Sequence, residues 1–149
     1  INKMKFDGSF SLDAPINKVY TTLIDPKIMA KGLPDLEDLE VIDADHFKAK
    51  FKIGILHIKG SVNMDFIIKE KTVNQGATLV VQGTGLQSTI ELQTKFSLNE
   101  IEKQKTMLNW EAEANIKGLL SGIGSKMLEI RGKKQIEEII ESLKKEFEN

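Results

Sequence analysis

Residues 105–147 read KTMLNWEAEANIKGLLSGIGSKMLEIRGKKQIEEIIESLKKEF, and two different periods meet in them. Up to Ile116 the period is two. Thr106, Leu108, Trp110, Ala112, Ala114 and Ile116 alternate with Lys105, Met107, Asn109, Glu111 and Glu113. That is a strand with one buried face. From Leu119 to Phe147 the period becomes helical, and the spacing predicts one helix about 40 Å long at 1.5 Å per residue. Its apolar stripe changes phase. Leu120, Ile123, Met127 and Ile130 share one face, while Ile136, Ile139, Ile140, Leu143 and Phe147 share another. Either the helix bends near Gly132, or its first half is enclosed on two sides. In the second case Ser121, Ser125 and Gly132 leave room for something.

Working outward, the alternation extends back to Leu36. Phe47, Ala49, Phe51 and Ile53 form one apolar row, and Val62, Met64, Phe66 and Ile68 another. Ala77 to Gln82 is shorter, and Ile90, Leu92, Thr94, Phe96 and Leu98 follow. The connections at Gly54–Gly60, Asn74–Gly76, Gly83–Ser88 and Asn99–Gln104 have hairpin length. Apolar-in, polar-out alternation predicts an antiparallel sheet with one wet face. Ahead of it, Met4, Phe6, Gly8, Phe10 and Leu12 make a first strand, stopped by Asp13-Ala14-Pro15. Pro15 suits a first helical turn. Ile16, Val19, Tyr20, Leu23 and Ile24 then share one helical face. Asp25-Pro26 caps a second, short helix running to Met29 or Lys31, and Gly32-Leu33-Pro34 ends it.

The predicted fold class is α+β, with helices segregated to one face of a sheet. A strongly bent antiparallel sheet of about six or seven strands grips a long C-terminal helix, and two short helices follow the first strand. One domain covers residues 4–147, with residues 1–3 ahead of it.

Composition narrows the function. Of 149 residues, 21 are basic and 22 acidic, for a net charge of -1, and 40% are apolar. Only Arg131 is arginine, so the planar fork for phosphates and base edges is nearly absent. A nucleic-acid partner is not expected. There is no cysteine, which excludes disulfides, thiolate metal sites and a cysteine nucleophile. No apolar run approaches the 20 or so residues of a membrane span.

No motif for catalysis stands out. Gly118, Gly122, Gly124 and Lys126 fit neither phosphate-loop spacing, so close packing of a helix start on the sheet is the better reading. His46 and His57 are eleven residues apart with no ligand cluster, so no metal is expected. His57 is the better placed, near a hairpin and a pocket rim. The pairs Glu37/Asp38, Glu100/Glu102, Glu111/Glu113 and Glu137/Glu138, together with Asp7 and Asp65, fall on polar faces. Trp110, the only tryptophan, lies on the apolar face between Leu108 and Ala112. It reads either as a core anchor or as a wall of a hollow grip.

The order of these elements resembles the CoxG family of carbon monoxide dehydrogenase subunits, within the START-like, or SRPBCC, helix-grip superfamily. Phe6-Asp7-Gly8-Ser9-Phe10 with Ala14-Pro15 is similar to that family's opening. Asp25-Pro26, Gly32-Leu33-Pro34, Ile53-Gly54, Gly83/Gly85 and Gly118 to Gly124 continue the likeness over residues 4–147. Asp35 replaces a common glycine, and the Gly54–Gly60 hairpin is short. Some members carry an apolar anchoring tail. The ending Glu146-Phe147-Glu148-Asn149 has none, so transient membrane contact is expected and a stable anchor is not.

The resemblance implies an internal apolar cavity between sheet and long helix and a lipid- or quinone-like guest. It implies an accessory role beside a molybdenum CO-dehydrogenase system, in the cytoplasm, with no cofactor of the chain's own. The expected lining is Phe51, Ile53, Met64, Phe66, Leu79, Val81, Ile90, Leu92, Trp110, Ala112, Ile123 and Met127. Two other readings remain. One is an enzyme of the polyketide-cyclase or aromatase kind, for which His57, Tyr20, Asp65 and Glu91 are the acid–base candidates. The other is a maturation or docking factor for a redox-enzyme partner.

Overall fold

A computed structural model describes residues 2–33 and 35–148; Pro34, the last landmark of the short-helix segment, lies outside the described residues. The first alternation forms strand β1, Asn2–Leu12. Pairing therefore begins two residues before Met4, with Asn2 opposite Ile116 and Lys3 opposite Asn115. Helix α1 spans Ile16–Leu23, and Pro15 is its N-cap. Its stripe buries Val19, Tyr20 and Leu23. Helix α2, Pro26–Lys31, starts where Asp25 accepts a hydrogen bond from the Lys27 N–H at 3.0 Å, the expected N-cap chemistry.

Six further strands follow in a meander: β2 Leu36–Asp43, β3 His46–Ile55, β4 Ile58–Thr72, β5 Gly76–Gly85, β6 Ser88–Glu102 and β7 Lys105–Gly118. With β1 they make one sheet in the order β1-β7-β6-β5-β4-β3-β2, each neighbouring pair antiparallel. The hairpins are tighter than predicted. Leu56 and His57 alone connect β3 to β4, and Leu86 and Gln87 alone connect β5 to β6. Leu86 and Gln87 both have positive φ, 53° and 54°. Two-residue hairpins favour that backbone because it follows the twist of the flanking strands. Glycine and asparagine are its usual sequence signal, and neither occupies these positions, so the sequence pattern misplaces the boundaries. Asp35 also has positive φ, 42°, a conformation glycine adopts without strain.

The predicted single C-terminal helix is two elements. A 3-10 turn, Leu119–Ile123, is followed by helix α3, Ser125–Glu146. The break is at Gly124, with φ 101°, not at Gly132. The first stripe is thereby split between two elements, with Leu120 and Ile123 on the turn and Met127 and Ile130 on α3. Leu120 is buried on the turn, and Leu128 is buried on α3. Met127 and Ile130 are exposed. Gly132 is small for another reason: a side-chain carbon there would stand 2.9 Å from Phe6 Cζ, so it is where α3 presses closest on β1.

Buried side chains form three clusters, not one. Leu12, Val19, Tyr20, Leu23, Leu98, Leu108 and Phe147 close one end of the grip under α1. Met4, Ile58, Ala114, Ile116, Leu120 and Leu128 close the other, under the 3-10 turn. Phe47, Ala49, Phe51, Val62, Phe66 and Val81 line β3–β5, with Met29 and Leu33 of the α2 segment against them. Phe47 and Phe66 are cross-strand partners whose rings stack 4.4 Å apart and 4° from parallel. One contiguous core per domain is the usual arrangement.

Candidate functional site beneath the long helix

The register assigns every inward side chain to a row. One row runs Ile68, Leu79, Thr94, Ala112, Phe6 across five strands. The next runs Phe47, Phe66, Val81, Leu92, Ala114, Met4. Helix α3 lies along one margin of this floor. Its main contacts are with β1 and the 3-10 turn, while α2 reaches β2 and β3 at the opposite margin. Gln135 Nε2 donates to Gly32 O at 3.2 Å and ties the two sides together. Between the margins, Met64, Leu79, Leu92, Thr94 and Ala112 point inward yet stay only half-buried. Small residues recur here: Thr94 and Ala112 on the floor, Gly8 against the Trp110 ring on β1, and Gly132 against Phe6 on the helix. The inward face between the two margins is therefore apolar and only half-buried.

The expected lining divides accordingly. Phe51, Ile53, Met64, Phe66, Leu79, Val81 and Leu92 come together around the β3–β5 cluster. Ile90 and Ile123 pack at the end closed by the 3-10 turn. Trp110 packs at the α1 end, and Ala112 lies on the open floor. Met127 is placed on the exposed side of α3, and Leu128 takes the inward position. The helix break produces that one-residue error. Phe6, Phe96 and Leu86 also face inward and are absent from the expected lining, although the alternation in β1 and β6 is signal enough for the first two.

Two polar atoms in this region are buried without a hydrogen-bond partner, Trp110 Nε1 and Arg131 Nη1. The indole lies across Gly8 of the neighbouring strand, 3.0–3.1 Å from where a side-chain carbon would be. Arg131 precedes the contact glycine on α3 and is half-buried.

The acid–base candidates do not converge here. His57 is exposed on its hairpin, and Tyr20 is buried in the α1 cluster. Asp65 and Glu91 belong to outward rows, with Asp65 beside Lys48 and Glu91 beside Asn115. Asp65 Oδ1 does meet His46 Nε2, at 2.6 Å. That contact joins diagonal neighbours on the outer face, and only the register reveals it. Among the described residues no group of three or more histidines and carboxylates could hold a metal. The glycine-rich entry is built for packing. A side-chain carbon at Gly118, with φ 94°, would stand 2.2 Å from Gln87 O. The adjoining N–H groups of Leu119 and Leu120 donate to Gln87 O and Ser88 Oγ. Two open depressions of about 470 and 460 Å³ lie on the outer face of the sheet. Lys5, Asp7, Glu91, Lys95, Glu111 and Glu113 border them. Their mixed charges suit water better than an apolar guest.

A bent seven-stranded antiparallel sheet gripping a C-terminal helix defines a START-like helix-grip domain. Over residues 8–148 the chain matches the model of the CoxG family of carbon monoxide dehydrogenase subunits, and it belongs to that family. A conserved protein from Geobacillus kaustophilus is similar in structure, with 26% identity, a TM-score of 0.87 and coverage of 97% of this chain and 95% of that one. A START superfamily protein from Mycobacterium smegmatis shares the fold at 10% identity and TM-score 0.72, covering 96% of both chains. So does the Zhui aromatase/cyclase from Streptomyces sp. R1128, at 10% identity and TM-score 0.67, covering 97% of this chain and 93% of that one. No curated protein matches. Among the described residues no helix is long and apolar enough to cross a membrane.

Proposed function

We propose that this protein is a carrier that holds a hydrophobic, lipid- or quinone-like molecule beneath α3 and does not transform it. The observation that carries the reading is the half-buried inward floor of Met64, Leu79, Leu92, Thr94 and Ala112. Small-molecule sites are concave, mostly apolar and largely pre-formed. Three clusters, two of them bridged by Ile53, Leu86 and Leu92, brace the ends and one wall of such a space. Family membership supports a hydrophobic ligand. The family's name further suggests a cytoplasmic accessory role beside a molybdenum CO-dehydrogenase system, with transient membrane contact as one route for loading.

The scattered placement of His57, Tyr20, Asp65 and Glu91 favours carriage over catalysis, although an aromatase/cyclase uses the same fold. Titration with a long-chain quinone and with fatty acids, followed by Trp110 fluorescence and native mass spectrometry, tests the proposal. A saturable one-to-one complex with altered Trp110 emission is expected. Absence of any complex at micromolar protein would contradict it.

A further inference from the structure

We infer that Arg131 binds an oxyanion head group, so that among lipid-like guests an amphipathic acid is preferred to the matching alcohol. This rests on the carrier reading above. Arg131 is the chain's only arginine, and its Nη1 is buried with no hydrogen-bond partner. Its helical neighbours three and four residues away are Met127, Leu128, Lys134 and Gln135, so no carboxylate stands where an intrahelical pair would form. Among the described residues the ion pairs are Lys3–Glu113, Lys31–Glu146, His46–Asp65 and Lys71–Asp45, and Arg131 joins none.

The direction of the side chain follows from its neighbours on α3. Gly132 rests on Phe6, which fixes the flank turned to β1. Gln135 donates to Gly32 O, and Ile139 Cγ1 lies 3.3 Å from where a side-chain carbon on Gly32 would be. These fix the flank turned to α2. Arg131, Gln135 and Ile139 are spaced by one turn each, so Arg131 shares the second flank. It lies one turn nearer the 3-10 end, over the gap between α3 and the α2 margin.

A buried guanidinium N–H without an acceptor is costly, and a carboxylate or phosphate meets the fork with two parallel bonds. The half-buried floor of Leu79, Leu92 and Ala112 then takes the chain of the guest. Carboxylate and phosphate share this chemistry, and their sources separate by titration.

Palmitate, hexadecyl phosphate and hexadecanol share one alkyl chain and differ in the head. Calorimetric titration of the full chain should show at least one oxyanion bound about tenfold or more tightly than the alcohol, the scale of a hydrogen bond to a charged group. The larger preference identifies the head group. In Arg131→Gln the ratio should fall to near one. Equal binding of the alcohol by the wild type, or a preference that survives in Arg131→Gln, overturns the inference. If neither these probes nor a long-chain quinone binds, the carrier reading itself fails. Thermal melting of guest-free Arg131→Met is a second check. An unchanged or higher midpoint is expected, because an unpaired cation is removed. A fall of about 4 °C or more would show that the guanidinium has partners within the protein, and would also overturn the inference.

Discussion

The Trp110 indole lies across Gly8, its opposite number on β1, with Cζ2 only 3.0 Å from where a side-chain carbon at Gly8 would be. A tryptophan and a glycine paired across strands let the ring lie flat on the sheet and keep the floor low beside Ala112. Gly8→Ala should push the ring upward. The cost of such overpacking is about 1–3 kcal/mol. Trp110 is the only tryptophan, so its emission reports the shift directly. An unchanged spectrum and melting midpoint would mean that the ring does not rest there.

Thr106 is fully buried, and its Oγ1 donates to Ala14 O at 2.8 Å, joining β7 to the turn before α1. Thr106→Val keeps the shape and strands a buried carbonyl. Leaving such a group unsatisfied costs about 1–3 kcal/mol. Urea denaturation should show a lower midpoint with an unchanged slope. A variant as stable as the wild type would remove this bond from the account.

Gln87 is exposed and has φ 54° in the β5–β6 hairpin. Ordinary residues pay about 1–2 kcal/mol for that backbone, against about 0.5–1 kcal/mol of entropy lost by glycine. Gln87→Gly should therefore be neutral to about 1 kcal/mol stabilising by urea denaturation. Leu86 has the same backbone but packs inward, so Leu86→Gly should destabilise. Equal effects at the two positions would contradict this division between strain and packing.

Lys3 Nζ and Glu113 Oε1 are 2.8 Å apart on the outer face. Their hydrogen bond and mutual charge raise the lysine above its ordinary range and hold the carboxyl below its own. A lowered carboxylate adds stability above its unfolded pKa and loses it as pH falls through the folded value. A raised lysine adds stability below its unfolded pKa and loses it as pH rises through the folded value. The pair therefore helps through the neutral range and fails in acid and in strong alkali. Both groups are exposed, so salt screens the effect. Glu113→Gln should lower the midpoint slightly at neutral pH and low salt, and the difference should vanish in acid or high salt. A difference that grows on acidification would contradict the assignment.

Much of the sheet is legible in the sequence because period-two alternation survives wherever one face is wet. Six of the seven strands follow from it, and the apolar stripe of α1 is read equally directly. Strand β2 is the weak case: seven of its eight residues are exposed, so burial imposes no alternation there. Hairpin ends are less legible because Leu56–His57 and Leu86–Gln87 carry no turn chemistry. The break at Gly124 is hidden because a 3-10 turn continues a helix-like pattern. The site is partly readable. Alternation marks inward residues such as Leu79 and Ala112, but only the register shows that they form one row with Phe6. The unpartnered Arg131 Nη1 and the His46–Asp65 contact have no sequence signal at all.

Carriage requires that the inward face at Ala112 admit an apolar guest. Its most direct test is native mass spectrometry of the wild type and Ala112→Phe with a long-chain fatty acid. A large ring at Ala112 fills the floor between Phe6 and Thr94. A one-to-one adduct is expected in the wild type and its loss in Ala112→Phe, with both proteins folded by their melting curves. An adduct that persists unchanged in folded Ala112→Phe would contradict it.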